Sequence, residues 1–195
     1  MTEQDQSVIT IVSGLPRSGT SLMMSMLDAG GMPLLVDHQR QADEDNPKGY
    51  FEYEKVKKLK ADRSWLPAAQ GKAIKVISAL LSELPPEYRY KIIFMRRDMH
   101  EILASQRKML VRRGERDDGV GDEAMASIFT RHLQQAEHWL AQQQNMTVLY
   151  VDYARLVRSP AELARAVNAF LGGRLNEQKM LAVVDPALHR QRANG

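Results

Sequence analysis

Residues Val8 to Ala29 read VITIVSGLPRSGTSLMMSMLDA, and the fold turns on how this stretch is understood. Val8 to Val12 is a β-branched apolar run of strand length, and the turn chemistry of Ser13-Gly14 ends it. Gly14 and Gly19 stand five apart, Thr20 and Ser21 follow, and Leu22 to Leu27 continues as an apolar helix. Strand, glycine-rich loop and helix together make a phosphate cradle. Glycines let the backbone wrap closely, while loop N–H groups and the helix N-terminus favour an anion. Gly14, Pro16, Arg17, Ser18, Gly19, Thr20 and Ser21 are therefore the candidate anion-binding set. A glycine-rich turn without a ligand is the plainer reading of the same residues.

A nucleoside triphosphate loop reads GxxxxGK[ST], with a lysine on the β/γ-phosphates. Here Thr20 holds the lysine position and Arg17 is the one cation in the loop, so a triphosphate loses its main charge partner. The form PRSGTS resembles the 5′-phosphosulfate loop of sulfotransferases that use 3′-phosphoadenosine 5′-phosphosulfate (PAPS), where Lys or Arg often stands at the position of Arg17. The resemblance implies a relative of the nucleotide-kinase fold, PAPS as cofactor, 3′,5′-adenosine bisphosphate (PAP) as product, and sulfuryl transfer without a metal.

Length and composition agree with one domain. The 195 residues, 44% hydrophobic, are enough for a single core spanning 1–195, with residues 1–6 and 187–195 expected as tails. The absence of cysteine excludes disulfides, thiolate metal sites and a Cys nucleophile. The acidic, polar start MTEQDQS is unlike a secretory signal, and no apolar run approaches the ~20 residues of a membrane span, so a cytoplasmic protein is expected. With 27 basic and 24 acidic residues, the charge is too balanced to argue for nucleic acid. Arg96, Arg97, Arg107, Lys108, Arg112 and Arg113 cluster in one stretch, which suits either a polyanionic small molecule or a solvated helix face.

Beyond the stop signal Ala29-Gly30-Gly31-Met32-Pro33, a short extended piece at Leu34 to Val36 leads into a long polar segment. A loop of this length usually serves a site. It carries Asp37, His38, Arg40, Lys48 and Glu52, and Glu52 to Lys60 reads as an amphipathic helix. Asn46 to Glu52 also resembles a segment of some bacterial sulfotransferases. Lys72 to Ile77 reads as a second core strand carrying Lys75, either aimed into the ligand crevice at the strand's C-terminal end or guarding a sheet edge. In the resembled family a lysine near this strand end can approach the sulfuryl group.

Tyr90 to Met95 is the third strand, ending at Arg96-Arg97-Asp98, with a helix from about Met99 to Arg113. An arginine just past a strand and a serine two turns into the next helix could grip one phosphate through the guanidinium fork. An ion pair of Arg97 with Asp98 or Glu101 is the structural alternative. The resembled family binds the cofactor's 3′-phosphate with an Arg and a Ser eight residues later, and Arg97 and Ser105 stand at that separation. A magnesium-dependent NTPase would carry an Asp at such a strand end, where this chain has arginines first.

Gly114 to Asp122 reads as a glycine-rich loop or lid, Glu123 to Gln144 as a long helix, and Met146 to Tyr150 as the fourth strand. The following YARLVRSP resembles a family segment near the adenine pocket, with Tyr153 as the match; a packing tyrosine is the other reading. Pro160 opens the last strong helix, Gly172-Gly173 closes it, and a short helix precedes a basic tail. The tail lacks the glycine- and lysine-rich 3′-phosphate element of the cytosolic family branch; Arg190 or Arg192 could substitute.

The expected architecture is three-layer α/β/α with a mostly parallel central sheet and a P-loop-like phosphosulfate-binding loop. The expected function is PAPS-dependent sulfuryl transfer to a hydroxyl or amine of a small-molecule, glycan, lipid or peptide acceptor. Arg17 and Lys75 would stabilise charge, and Asp37, His38 or Glu52 would serve as general base, the first two ranked ahead of Glu52. A magnesium-dependent phosphotransferase and a non-catalytic nucleotide-binding protein are the alternatives.

Overall fold

The computed structural model describes residues 7–37, 39–40, 43, 49–112, 114 and 121–185. His38, Lys48, Arg113, Arg190, Arg192 and the two expected tails lie outside the described residues. The β-branched run at the start forms β1, Val8–Gly14, and three further strands follow: β2, Ala73–Lys75; β3, Arg89–Arg96; and β4, Met146–Asp152. All pairings are parallel, in the order β2-β1-β3-β4. The chain leaves β1 for β2 on one side and then returns to β3 on the other, so the topological switch lies between β1 and β3. In open parallel sheets the ligand crevice forms there, outside the carboxyl ends of the strands.

Alternation along the strands builds two cores. Ile9 and Ile11 of β1, Ile74 of β2 and Tyr90, Ile92 and Phe94 of β3 face one side. They are covered by a 3₁₀ helix, Glu54–Lys58, by α2, Leu66–Ala69, by a second 3₁₀ helix, Ser78–Glu83, and by the end of α4, Asp122–Ala141. Val12, Ile93 and Met95 face the other side, against α1, Thr20–Ala29, α5, Tyr153–Arg158, α6, Pro160–Leu171, and α7, Glu177–Ala182. The result is the three-layer α/β/α arrangement expected from the alternating pattern. The remaining helix, α3, Met99–Arg112, leaves the carboxyl end of β3 and buries Ile102, Leu103 and Ser105. No described helix is long and apolar enough to cross a membrane.

Among the elements that differ from their sequence reading, three border the site. β1 continues through Ser13 and Gly14, because those residues still pair with Phe94 and Met95 of β3. The helix expected over Glu52 to Lys60 is only the 3₁₀ turn Glu54–Lys58: the Asp37 carboxylate accepts the Glu54 N–H at 2.6 Å and fixes where that turn starts. β2 is three residues long, but Leu34 bridges to Ala73 beside it and extends the sheet edge.

Candidate active site

Residues 14–21 carry the chain from β1 into α1 at the switch point. Gly14 has φ 144°, and a Cβ there would stand 2.6 Å from the Met95 carbonyl oxygen and 2.5 Å from Ser18 Oγ. Gly19, at φ 100°, is the N-cap of α1, and its Cβ would meet the Tyr153 ring at 2.4 Å. Arg17 takes φ 72°, a left-handed conformation that costs a non-glycine residue energy and is retained where surroundings hold it. No side chain caps the first turn of α1, so its N–H groups and the positive end of its dipole face the crevice. Ser18 Oγ is buried without a hydrogen-bond partner. A buried hydroxyl left unsatisfied beside an uncapped helix start fits an anionic ligand that brings oxygens to both.

One wall of the crevice comes from β3 and α3. Arg17 Nε donates to Ser105 Oγ at 2.9 Å, and Arg97 Nη1 donates to the Arg17 carbonyl at 3.0 Å. Arg97 Nε also donates to Glu101 Oε2 at 2.9 Å; their side chains are 8% and 5% exposed. The Arg97 guanidinium stacks 4.4 Å from the centroid of the Tyr153 ring, which also packs on Gly19. Burial of that phenol raises its pKa, with the neighbouring Arg97 pulling the other way. The fold thus brings Arg17, Arg97, Ser105 and Tyr153 into one cluster, but the i,i+4 pair with Glu101 is also real. Other basic residues of the stretch turn outward: Arg96 pairs with Glu137 and Arg107 with Asp122. Asp98 caps α3, its carboxylate accepting the Glu101 N–H at 3.2 Å.

The opposite wall centres on Lys75. As the last residue of β2 it shares the α1 side of the sheet with Ala73, and its ammonium reaches the loop. Nζ donates to Ser21 Oγ at 3.0 Å and to the Tyr50 carbonyl at 2.6 Å, with Glu52 Oε1 at 3.7 Å. Lys75 is on an edge strand, yet it faces the crevice. Burial lowers its pKa to about 8, opposed by the charge of Glu52. Phe51, between the two contact residues, holds φ 51°, a strained conformation for a bulky side chain.

The three proposed bases separate. Glu52 stands beside Lys75 at the loop. Asp37 has both carboxylate oxygens on backbone N–H groups, of Gln39 at 3.1 Å and Glu54 at 2.6 Å. His38 lies outside the described residues. Pro16 is exposed at the tip of the loop turn, and Thr20 is buried at the start of α1. Two participants escaped sequence reading. Tyr50 contributes a main-chain carbonyl, which no side-chain pattern announces. Arg40, noted only as one charge in a polar loop, stacks on Tyr50 and bonds Glu52.

The assembled groups can hold a doubly anionic ligand at the helix start, neutralise it from both sides, and offer a carboxylate next to it. The family model described as sulfotransferase domain matches residues 9–187. A search of curated protein sequences found no match. Among solved structures, the sulfotransferase domain from the Synechococcus PCC 7002 olefin synthase superposes with a TM-score of 0.59 at 16% identity, covering 100% of this chain and 91% of that one. A retinol dehydratase in complex with androsterone and the inactive cofactor PAP gives 0.53 at 13% identity, covering 92% of this chain and 63% of that one. A mouse sulfotransferase complexed with PAP also gives 0.53 at 13%, over 97% and 67%. At these identities the likeness is one of fold.

Proposed function

Because the chain belongs to the sulfotransferase domain family, we propose that it moves a sulfuryl group from PAPS to a hydroxyl or amine acceptor by in-line displacement. The observation that carries this reading is the contact of Lys75 with Ser21 Oγ at 3.0 Å, with Glu52 at 3.7 Å from the same ammonium. A cation at the phosphate loop next to a carboxylate is what transfer between an anionic donor and a protic acceptor requires. PAPS, when bound, supplies the sulfuryl group and a 5′-phosphate leaving group.

The chain's residues divide the remaining work. The N–H groups from Gly19 to Ser21, the Ser18, Thr20 and Ser21 hydroxyls, Gly14 and Pro16 in the turn, and Arg17 hold the 5′-phosphosulfate. Lys75 and Arg17 neutralise charge that develops as the bridging S–O bond breaks. Ser105, with Arg17 bonded to it and Arg97 behind both, meets the 3′-phosphate, and Tyr153 keeps Arg97 in plane. Glu52 takes the acceptor's proton; Asp37, occupied by two backbone N–H bonds, is left to anchor the segment that carries Glu52.

Calorimetric titration with PAP in EDTA, beside ATP with magnesium, tests the reading. PAP is expected to bind without metal, and Arg97→Ala to weaken it at least tenfold. Ser105→Ala, which leaves Glu101 paired, should weaken it by a smaller factor with an unchanged unfolding midpoint. Binding of ATP with magnesium alone would overturn the proposal in favour of a phosphotransferase.

A further inference from the structure

We propose that Arg40 recognises the acceptor, and that the acceptor is an alcohol or phenol carrying an oxyanion, such as a carboxylate, a few bonds from its hydroxyl. This rests on the sulfuryl-transfer reading and on Glu52 as its base. Of the cations at the crevice, Arg17, Arg97 and Lys75 are tied to the loop or to its walls. Arg40 comes from the segment that follows Asp37 and meets Glu52 and Tyr50, beside Lys75. Its guanidinium carbon lies 3.3 Å from the centroid of the Tyr50 ring, and Nη1 donates to Glu52 Oε1 at 3.1 Å. The Tyr50 hydroxyl is itself fixed by both oxygens of Asp43 at 2.7 Å. The ring is therefore a rigid platform that holds the guanidinium plane beside the base.

Exposure separates Arg40 from Lys75 and Arg97: its side chain is 36% exposed, against 10% and 8%. An ion pair this open to water is worth little, so an incoming oxyanion can take the guanidinium from Glu52 at small cost. The exchange removes the Arg40 hydrogen bond from Glu52 Oε1, and that oxygen, still 3.7 Å from Lys75 Nζ, can then receive the acceptor's proton. Recognition and activation are thereby one event. With one hydrogen bond of roughly 3 Å on Glu52 and another on Arg40, the acceptor's hydroxyl and oxyanion stand about 4–7 Å apart.

The test uses the full chain loaded with PAP and two matched pairs of probes: 3-hydroxybenzoate with 3-hydroxybenzamide, and 4-hydroxybutyrate with 4-hydroxybutyramide. In at least one pair the carboxylate should bind at least tenfold more tightly than its amide by calorimetry. Arg40→Met should abolish that preference, and Arg40→Lys should keep part of it, each with unchanged PAP affinity and unfolding midpoint. No preference in either pair, or a preference that survives in Arg40→Met, overturns the proposal. An Arg40 that only positions Glu52 would lower turnover equally with both members of a pair. Failure of PAP to bind the wild-type chain is a different result, and it overturns the sulfuryl-transfer reading itself.

Discussion

The role proposed for Lys75 sets function against stability at the scale of one residue. Burial brings its pKa to about 8 from an ordinary 10.5. The folded chain thus holds this proton less tightly than the unfolded chain. Between about pH 8 and 10.5 the unfolded state binds more protons, so stability rises with pH across that window. Below it the cost of the buried charge is fully present, about 3 kcal/mol at 1.36 kcal/mol per unit. Lys75→Met removes that cost and leaves Glu52 paired with Arg40, so the unfolding free energy at pH 7 should rise by about 1–2 kcal/mol, what remains once the hydrogen bonds to Ser21 and Tyr50 are lost. The gain should shrink as denaturant melts are repeated toward pH 10.5, while sulfuryl transfer falls at least 100-fold. A variant less stable than wild type at pH 7 would contradict this account. In the wild type, kcat/KM for PAPS should decline above about pH 8 as the ammonium deprotonates, and Lys75→Arg should remove that limb.

Among the elements, the loop from β1 to α1 is the least tolerant, and its two glycines differ physically from the glycine that follows the helix. Gly31 has φ 92°, but nothing lies within 4 Å of where its Cβ would stand, so Gly31→Ala costs only the left-handed backbone, about 1–2 kcal/mol. Gly14→Ala adds a contact of 2.6 Å with a backbone oxygen of β3, which cannot yield without parting β1 from β3. It should cost clearly more in chemical denaturation and remove PAP binding, while Gly31→Ala leaves PAP binding intact. Equal effects in the two variants would mean the loop is not held against β3. These elements were legible because their signals are local: β-branched runs for strands, glycine spacing for the loop, and Pro160 and Gly172 at the ends of α6. The helix misread at Glu52 to Lys60 is instructive. A charged, periodic stretch was captured as a 3₁₀ turn by Asp37, which lies 17 residues from Glu54. Likewise Lys75 could be placed at a strand end from sequence, but its choice of crevice over edge depends on Ser21 and Tyr50. The bond between Arg17 and Ser105 spans 88 residues and has no trace in either neighbourhood.

For the whole molecule, the proposed site draws on residues from Gly14 to Tyr153, and so on the carboxyl ends of β1, β2 and β3 and the entry to α5. No one segment can bind the nucleotide alone. Binding must then be linked to global folding, and a ligand at 100 times its Kd should add about 2.7 kcal/mol to the unfolding free energy. For a domain of this size that corresponds to a rise of roughly 5–10 °C in Tm, at about 2–4 °C per kcal/mol. PAP should produce the rise in EDTA, because the charge partners at the site are Arg17, Lys75 and Arg97. At equal PAP, Ser105→Ala should give a smaller shift than wild type, in proportion to its weaker affinity, without lowering the Tm of the free protein. A Tm that moves only with ATP and magnesium would mean that the loop binds a different nucleotide. A PAP shift unchanged by Ser105→Ala would detach Ser105 from the 3′-phosphate and leave that role to Arg17 and Arg97.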